Sequence, residues 1–253
     1  MIKRILILML LSLPLLADPL GDFYGRYAAA RVRAGGGVEE VGLPLEDYIQ
    51  VYYPLDGSGA DLSTNGYHAT AYNAPTSTND AIRGTAYFFN ESLNQYFEAS
   101  NLTAFDGATK FTFSFWAKRP DNDQNNTALS LRNGTSLYGM VQFLSCDTYN
   151  GVGIRSYFNK CNCTDENGVD RSGAWHHFAW TYDGAQMVGF ADGSAVASNN
   201  IPSLSLAADI SNLNIGALYS NTQKTHGYID EVIGWSTNLT TAQIAEVYNR
   251  DAP

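Results

Sequence analysis

The chain is 253 residues long, 45% hydrophobic, 13% aromatic and 16% charged. That much apolar side chain builds a sizeable core, so whole-chain disorder is excluded, and the length fits one large or two small domains. A formal net charge of -10 leaves no general attraction for nucleic acid or anionic membranes, so neither is expected as a partner.

Met1 to Ala17 has the pattern of a secretory signal peptide. Lys3 and Arg4 form a basic start, Ile5 to Leu16 is apolar apart from Ser12 and Pro14, and Ala17 precedes the expected cut. The run is short for a membrane span, and no later run reaches that length. The expected product is a secreted protein with no stable membrane span after cleavage. A retained anchor or a buried strand is the alternative.

A lead segment follows, from Asp18 to Asp47. Tyr24 to Arg33 is expected to form a short helix, ended by Gly35-Gly36-Gly37, which also provide a hinge. From Tyr48 the pattern changes to short runs rich in Tyr, Phe, Val and Ile, separated by Gly, Asn, Asp and Ser. Strands are expected at Tyr48–Tyr53, Ala86–Phe89, Gln95–Glu98, Phe111–Ala117, Tyr138–Leu144, Gly153–Phe158, His176–Tyr182, Gln186–Ala191, Leu213–Ile215 and Gly227–Gly234. Many short strands with turn signals between them indicate an all-β sandwich or barrel. Asp183-Gly184 and Asp192-Gly193 are hairpin-turn dipeptides. One helix is expected near the C-terminus, capped by Thr240 or Thr241 and running to about Asn249, with Ile244, Val247 and Tyr248 on its buried face.

Export makes the cysteines readable. Cys146, Cys161 and Cys163 allow one disulfide, from Cys146 to either of the others, with one thiol left to pair between chains or stay free. Asn90, Asn101, Asn125, Asn133, Asn162 and Asn238 each begin an N-x-S/T sequon, so a glycosylated surface is expected where the source has the machinery. His176 and His177 occupy adjacent strand positions and face opposite sides. The inward one is expected to pack rather than to bind a metal.

Several segments, taken in order, resemble the laminin-G-like, concanavalin A-like jelly roll. They are Tyr52-Tyr53-Pro54-Leu55-Asp56-Gly57, the turn from Asp61 to Gly66, Gly84 to Phe89 with Gln95 to Glu98, Phe111 to Ala117, Trp175-His176-His177-Phe178-Ala179-Trp180-Thr181-Tyr182-Asp183-Gly184, Ala191 to Ser194, and Gly227 to Val232 before the terminal helix. The resemblance covers roughly Tyr48 to Tyr248. It implies an all-β jelly-roll sandwich over residues 48–253 with a short C-terminal helix, and it places Trp175 between the sheets. It also implies a structural Ca²⁺ held by Asp61, Ser63, Asn65, Asp230 and Glu231, since that ion takes six to eight hard oxygen ligands. Self-bonded Asx turns are the alternative for the same residues. More faintly, Tyr27 to Glu39 is similar to a stretch in some phage and bacterial surface structural proteins.

Three functional classes follow. Glycoside hydrolases of the retaining β-glucanase type on this fold need E-x-D-x-x-E on one strand, and the chain lacks it. Asp230 and Glu231 are expected on opposite faces of their strand, and no serine elbow, zinc motif or phosphate loop is present. No enzyme is therefore expected. A carbohydrate-binding module needs exposed aromatics, for which Tyr138, Tyr149, Tyr157 and Tyr219 are the candidates. A structural or adhesive subunit would self-associate or hold other surface proteins, with the lead segment adding a strand to a neighbour. That last class is preferred, with a filament or fibre subunit as its most concrete form.

Overall fold

The computed structural model describes residues 29–32, 38–120, 126–133, 136–146, 149–156, 160–163, 173–202, 206, 210–219 and 222–252. Residues 1–17 and most of the lead segment lie outside them. Residues 1–42 and 43–253 form two compact units. In the first, β1 (Ala29–Val32) and β2 (Val38–Val41) pair antiparallel, Ala29 opposite Val41 and Val32 opposite Val38. This corrects the helix expected up to Arg33. The β-branched Val32, Val38 and Val41 favour extended backbone over helix.

The second unit begins at Leu43. It runs through β3 (Ile49–Tyr53), β4 (Ala69–Tyr72), β5 (Thr76–Thr78), β6 (Ala86–Phe89), β7 (Tyr96–Ser100) and β8 (Phe111–Lys118). It continues with β9 (Asn126–Asn133), β10 (Ser136–Cys146), β11 (Tyr149–Ser156), β12 (Lys160–Cys163), β13 (Trp175–Tyr182), β14 (Gln186–Ala191) and β15 (Ser194–Asn200). It ends with β16 (Asn212–Ile215), β17 (Ala217–Tyr219), β18 (Thr222–Lys224), β19 (Gly227–Trp235) and helix α1 (Thr241–Asp251).

Two antiparallel sheets result. The seven-stranded sheet has the order β12-β11-β10-β9-β16-β7-β4. The eight-stranded sheet has the order β15-β14-β13-β8-β19-β6-β5, with β3 also on β19. Their facing sides make one core. Alternation along β8 sends Phe111, Phe113 and Phe115 inward, where Phe113 stacks on Trp180 with centroids 5.0 Å apart. Each such ring contributes about 2–3 kcal/mol of burial. A Cβ on Gly234 would lie 2.8 Å from Phe113 Cε1 and 2.9 Å from Phe105 Cζ, so only glycine lets β19 pass. Asp192 and Gly193, with φ of 49° and 75°, make the two-residue turn of the β14–β15 hairpin.

Thr240 caps α1. Its hydroxyl accepts from the Gln243 N–H, and the Gln243 side chain accepts from the Thr240 N–H at 2.9 Å. Ile244 and Val247 are buried, and Tyr248 stacks on Trp116, centroids 5.6 Å apart. The helix covers part of the outer side of the eight-stranded sheet, so β8 is buried on both faces. His177 packs there between Trp116 and Tyr248, at 5.4 and 6.1 Å, while His176 meets Asp192 at the sheet's margin. Burial of the uncharged ring pushes His177 down to about 3.

Trp175 is not between the sheets. It stands beside Lys118 and Tyr228 on the outer side and donates from Nε1 to Asp80 at 3.0 Å. It lies three positions, an odd number, from the core residue Phe178 and so falls on the opposite face of the strand.

Candidate ligand-binding face

The Asp61 turn is closed on itself. Asp61 Oδ1 accepts from the Tyr52 and Ser63 N–H groups at 2.8 and 2.9 Å. Its Oδ2 accepts from the Ser63 hydroxyl and the Tyr67 N–H, both at 2.8 Å. Asn65 turns its amide donor to Gln50 instead. The carboxylate staples the turn to β3.

Asp230 and Glu231 form a separate set. A bulge in β19 places Glu231 at φ 50°, and the pairing with β8 skips from Asp230 to Ile233. The extra residue breaks the alternation expected for a regular strand and brings both carboxylates into one buried network. Asp230 accepts from the N–H groups of Ile82, Arg83 and Glu231 at 2.8, 3.2 and 3.0 Å. Glu231 accepts from the Tyr52 hydroxyl at 2.8 Å and pairs with Arg250 at 2.7 Å. Arg250 also pairs with Asp251, which meets Arg83 at 3.2 Å. Burial, reinforced by the charge of Glu231, pushes Asp230 up to about 8.

These residues do not fit a Ca²⁺ ion. The Asp61 oxygens are committed to four donors. Tyr52 separates the two sets, touching Asp61 with its N–H and Glu231 with its hydroxyl. Among the described residues, no group of three or more His, Cys, Asp or Glu is placed to hold a metal.

The cysteines lie on strands. Cys161 and Cys163 pair with Arg155 and Gly153, while Cys146 pairs with Tyr149 at the far end of β10. The register does not set Cys146 beside the other two. Tyr149 and Tyr138 stand towards opposite ends of β10, Tyr138 at an irregularity of the β9–β10 ladder. Tyr219 ends β17, and Tyr157 lies outside the described residues. Of the sequon asparagines, Asn101 is exposed and Asn90, Asn133 and Asn238 are half-buried. Asn162 lies on β12, and Asn125 lies outside the described residues.

A different cluster occupies the outward side of the seven-stranded sheet. Phe97 and Ala99, Leu213 and Ile215, and Leu129 and Leu131 point into the core. The residues between them, Tyr96, Glu98, Ser100, Asn212, Asn214, Ser130 and Arg132, take the other side. Tyr72 on β4 pairs with Tyr96, and their rings stack at 4.6 Å and 2°. One face of Tyr72 is thus covered, and its side chain is still 39% exposed. Arg132 donates to Glu98 at 2.9 Å and to Asn214 Oδ1 at 3.1 and 3.3 Å. The β17–β18 hairpin lies on β9, where the Ser130 hydroxyl reaches the Ala217 and Leu218 carbonyls at 3.0 and 2.7 Å. Asn214 Nδ2 is buried beneath and has no partner. Burial and the neighbouring charge of Glu98 raise the Tyr96 phenol above its ordinary value.

This site was missed in sequence because β4 was not expected. Its signal was the alternation Tyr96-x-Glu98-x-Ser100 and Asn212-x-Asn214, polar on one side and apolar on the other.

Two stacked antiparallel sheets with a terminal helix define a jelly-roll sandwich. Residues 90–245 match the Laminin_G_3 model of the concanavalin A-like lectin/glucanases superfamily, and the chain belongs to that superfamily. No curated protein matches it in sequence. Similar solved structures include domain 4 of AbnA, a GH43 extracellular arabinanase from Geobacillus stearothermophilus, in complex with arabinotriose. The TM-score there is 0.63 at 15% identity, covering 79% of this chain and 98% of that one. The binding domain of Paraclostridial Mosquitocidal Protein 1 gives 0.62 at 14% identity, over 81% of this chain and 52% of that one. The receptor-binding domain of botulinum neurotoxin mosaic serotype C/D gives 0.60 at 15%, over 81% and 51%. The chain spans about half the length of these last two. At such identities the likeness establishes the fold.

Proposed function

We propose that this chain is an exported, non-catalytic glycan-binding module whose ligand lies on the outward side of the seven-stranded sheet. The observation that carries this reading is the Tyr72–Tyr96 stack beside Glu98, Arg132 and Asn214. A ring fixed from behind, with its other face in water, suits stacking against the apolar face of a sugar. Thr70, Glu98, Ser100 and Asn212 stand along the neighbouring strands to meet hydroxyl groups. An aromatic platform with placed polar groups that fix the ligand's orientation is common in such sites. The binding and receptor-binding domains among the similar structures support the same class. Asp230 and Glu231 are buried and partnered, which supports a reading without glycosidic chemistry.

Calorimetric titration with a panel of neutral oligosaccharides, arabinotriose among them, tests the site. The parent chain binds at least one member, and Tyr72→Ala weakens that binding tenfold or more with an unchanged melting temperature. Binding that survives Tyr72→Ala at full strength, or no binding across the panel, overturns the assignment.

The separate β1–β2 hairpin favours a second role, assembly or adhesion at a surface, with a filament subunit as the most specific form. Electron microscopy of the chain with and without residues 18–47 decides it. Filaments that vanish on deletion support assembly, and dispersed particles in both samples remove it.

A further inference from the structure

The outward side of the seven-stranded sheet differs at its two ends. On β7 the outward residues are Tyr96, Glu98 and Ser100, a run of about 13 Å. Past Tyr96, three segments are tied together. Asn73 follows β4 and Asn94 precedes β7, both in the left-handed region at φ 55° and 56°. The Asn73 side-chain amide donates to the Asn94 carbonyl at 2.7 Å. Gln95 is 3% exposed and donates to the Asn73 and Ala74 carbonyls at 3.1 and 2.7 Å, which fixes the two segments against each other. The third segment is β18, whose last residue, Lys224, donates to the Asn94 side chain. The β17–β18 hairpin lies on the outward side of β9, because the outward Ser130 hydroxyl reaches its Ala217 and Leu218 carbonyls. Since β16 lies between β9 and β7, the Lys224–Asn94 contact spans the end of β16. At the other end of the face, Ser100 and Asn101 are exposed and Asn212 is half-buried.

We infer, resting on the glycan reading above, that this face is a blind groove that holds the terminal rings of a sugar chain and not its interior. Tyr72 and Tyr96 are the last outward pair before the tie. A ring stacked on Tyr72 therefore has Asn94 and Lys224 on one side and Thr70, Glu98 and Ser100 on the other. The rest of the sugar chain leaves towards Ser100. An interior segment must leave in two directions, and the tie stands where the second exit would be. Across the strands, the hairpin on β9 closes the groove in the same way. The end of a sugar chain also differs in chemistry from its interior, since it carries a free hydroxyl where an interior ring carries a glycosidic link. A lysine ammonium has three N–H donors. Asn94 takes one of those of Lys224, which leaves donors to meet that hydroxyl.

Calorimetry of the full chain with linear arabino-, xylo- and gluco-oligosaccharides, from disaccharide to hexasaccharide, and with the matching polymers tests this. In the series that binds, affinity per mole of sugar chain levels off at the trisaccharide, and each polymer molecule takes up one protein whatever its length. Tyr72→Ala loses both, which assigns the binding to this face. Asn94→Gly combined with Lys224→Ala cuts the tie, and glycine keeps the left-handed backbone at position 94. Polymer uptake by that double variant rises several-fold, in proportion to length. Uptake that already grows with polymer length in the parent overturns the blind groove and leaves the glycan reading standing. So does a double variant that still binds one protein per polymer molecule. No binding in any series overturns the glycan reading, and the blind groove with it.

Discussion

Replacing Arg250 with methionine destabilises the fold by about 3–5 kcal/mol, the cost of breaking a buried ion pair from one side. Arg250 is 5% exposed and is the shared cation of Glu231 and Asp251, both of them buried. Its Nε reaches both Asp251 oxygens at 2.8 Å, and its guanidinium lies 5.9 Å from the Tyr52 ring centroid. Methionine fills much of the same volume, so the loss is electrostatic rather than a cavity. Glu231 is left with the Tyr52 hydroxyl, and Asp251 with Arg83. For a domain of this size the melting temperature falls by about 10 °C. Urea unfolding followed by circular dichroism gives the free energy directly. Adding Glu231→Gln to Arg250→Met removes the stranded charge, so the double variant is more stable than the single one. A single variant within about 1 kcal/mol of the parent would mean that the network contributes little, as exposed pairs do.

The network also shows where sequence stops being legible. The strand runs were readable because aromatic and β-branched residues alternate with small polar ones. Ala86–Phe89 and Gln186–Ala191 are found with the expected ends. The helix was readable because Thr240 and Gln243 form a capping box ahead of Ile244 and Val247. Strands β1, β2, β4, β5, β9, β12, β15, β17 and β18 were not expected. Runs such as Thr76-Ser77-Thr78 carry no hydrophobic period and are held by their neighbours in the ladder. The Asp230–Glu231 pair misled for another reason. Two adjacent carboxylates face opposite ways only in a regular strand, and a one-residue bulge is invisible to a period-two count. The ligand face suffered from both effects. Tyr72 lay in an unrecognised strand, and its partner Tyr96 is opposite only through the β4–β7 register, a long-range fact.

Stability is expected to fall as pH rises from neutrality, and Asp230 is the cause. In the unfolded chain this carboxyl ionises near its ordinary value of 3.8, whereas burial holds it protonated in the fold up to about 8. The folded state therefore binds the proton more tightly. Its contribution is complete below about pH 4 and is lost as pH climbs through 8. His177 acts in the opposite sense. Its folded value of about 3 lies below the ordinary 6.5, so its contribution is complete above 6.5 and is lost as pH drops towards 3. Between pH 4 and 6.5 the two oppose each other. Above 6.5 the Asp230 loss continues and over the remaining interval amounts to about 2 kcal/mol, or roughly 5 °C in melting temperature, while Glu231, which burial raises to about 7, adds a smaller loss in the same sense. The Ile82 and Arg83 N–H groups share Asp230 Oδ2, and an amide oxygen at that position can accept from both. Asp230→Asn thus keeps the neutral form at every pH and flattens this part of the profile. Scanning calorimetry of both proteins from pH 6 to 8.5 reads the difference. A parent whose melting temperature rises or holds level across that range, or an Asn variant that falls as steeply as the parent, would show that Asp230 is ionised in the fold. Its charge would then be carried by the three backbone donors, the N–H groups of Ile82, Arg83 and Glu231.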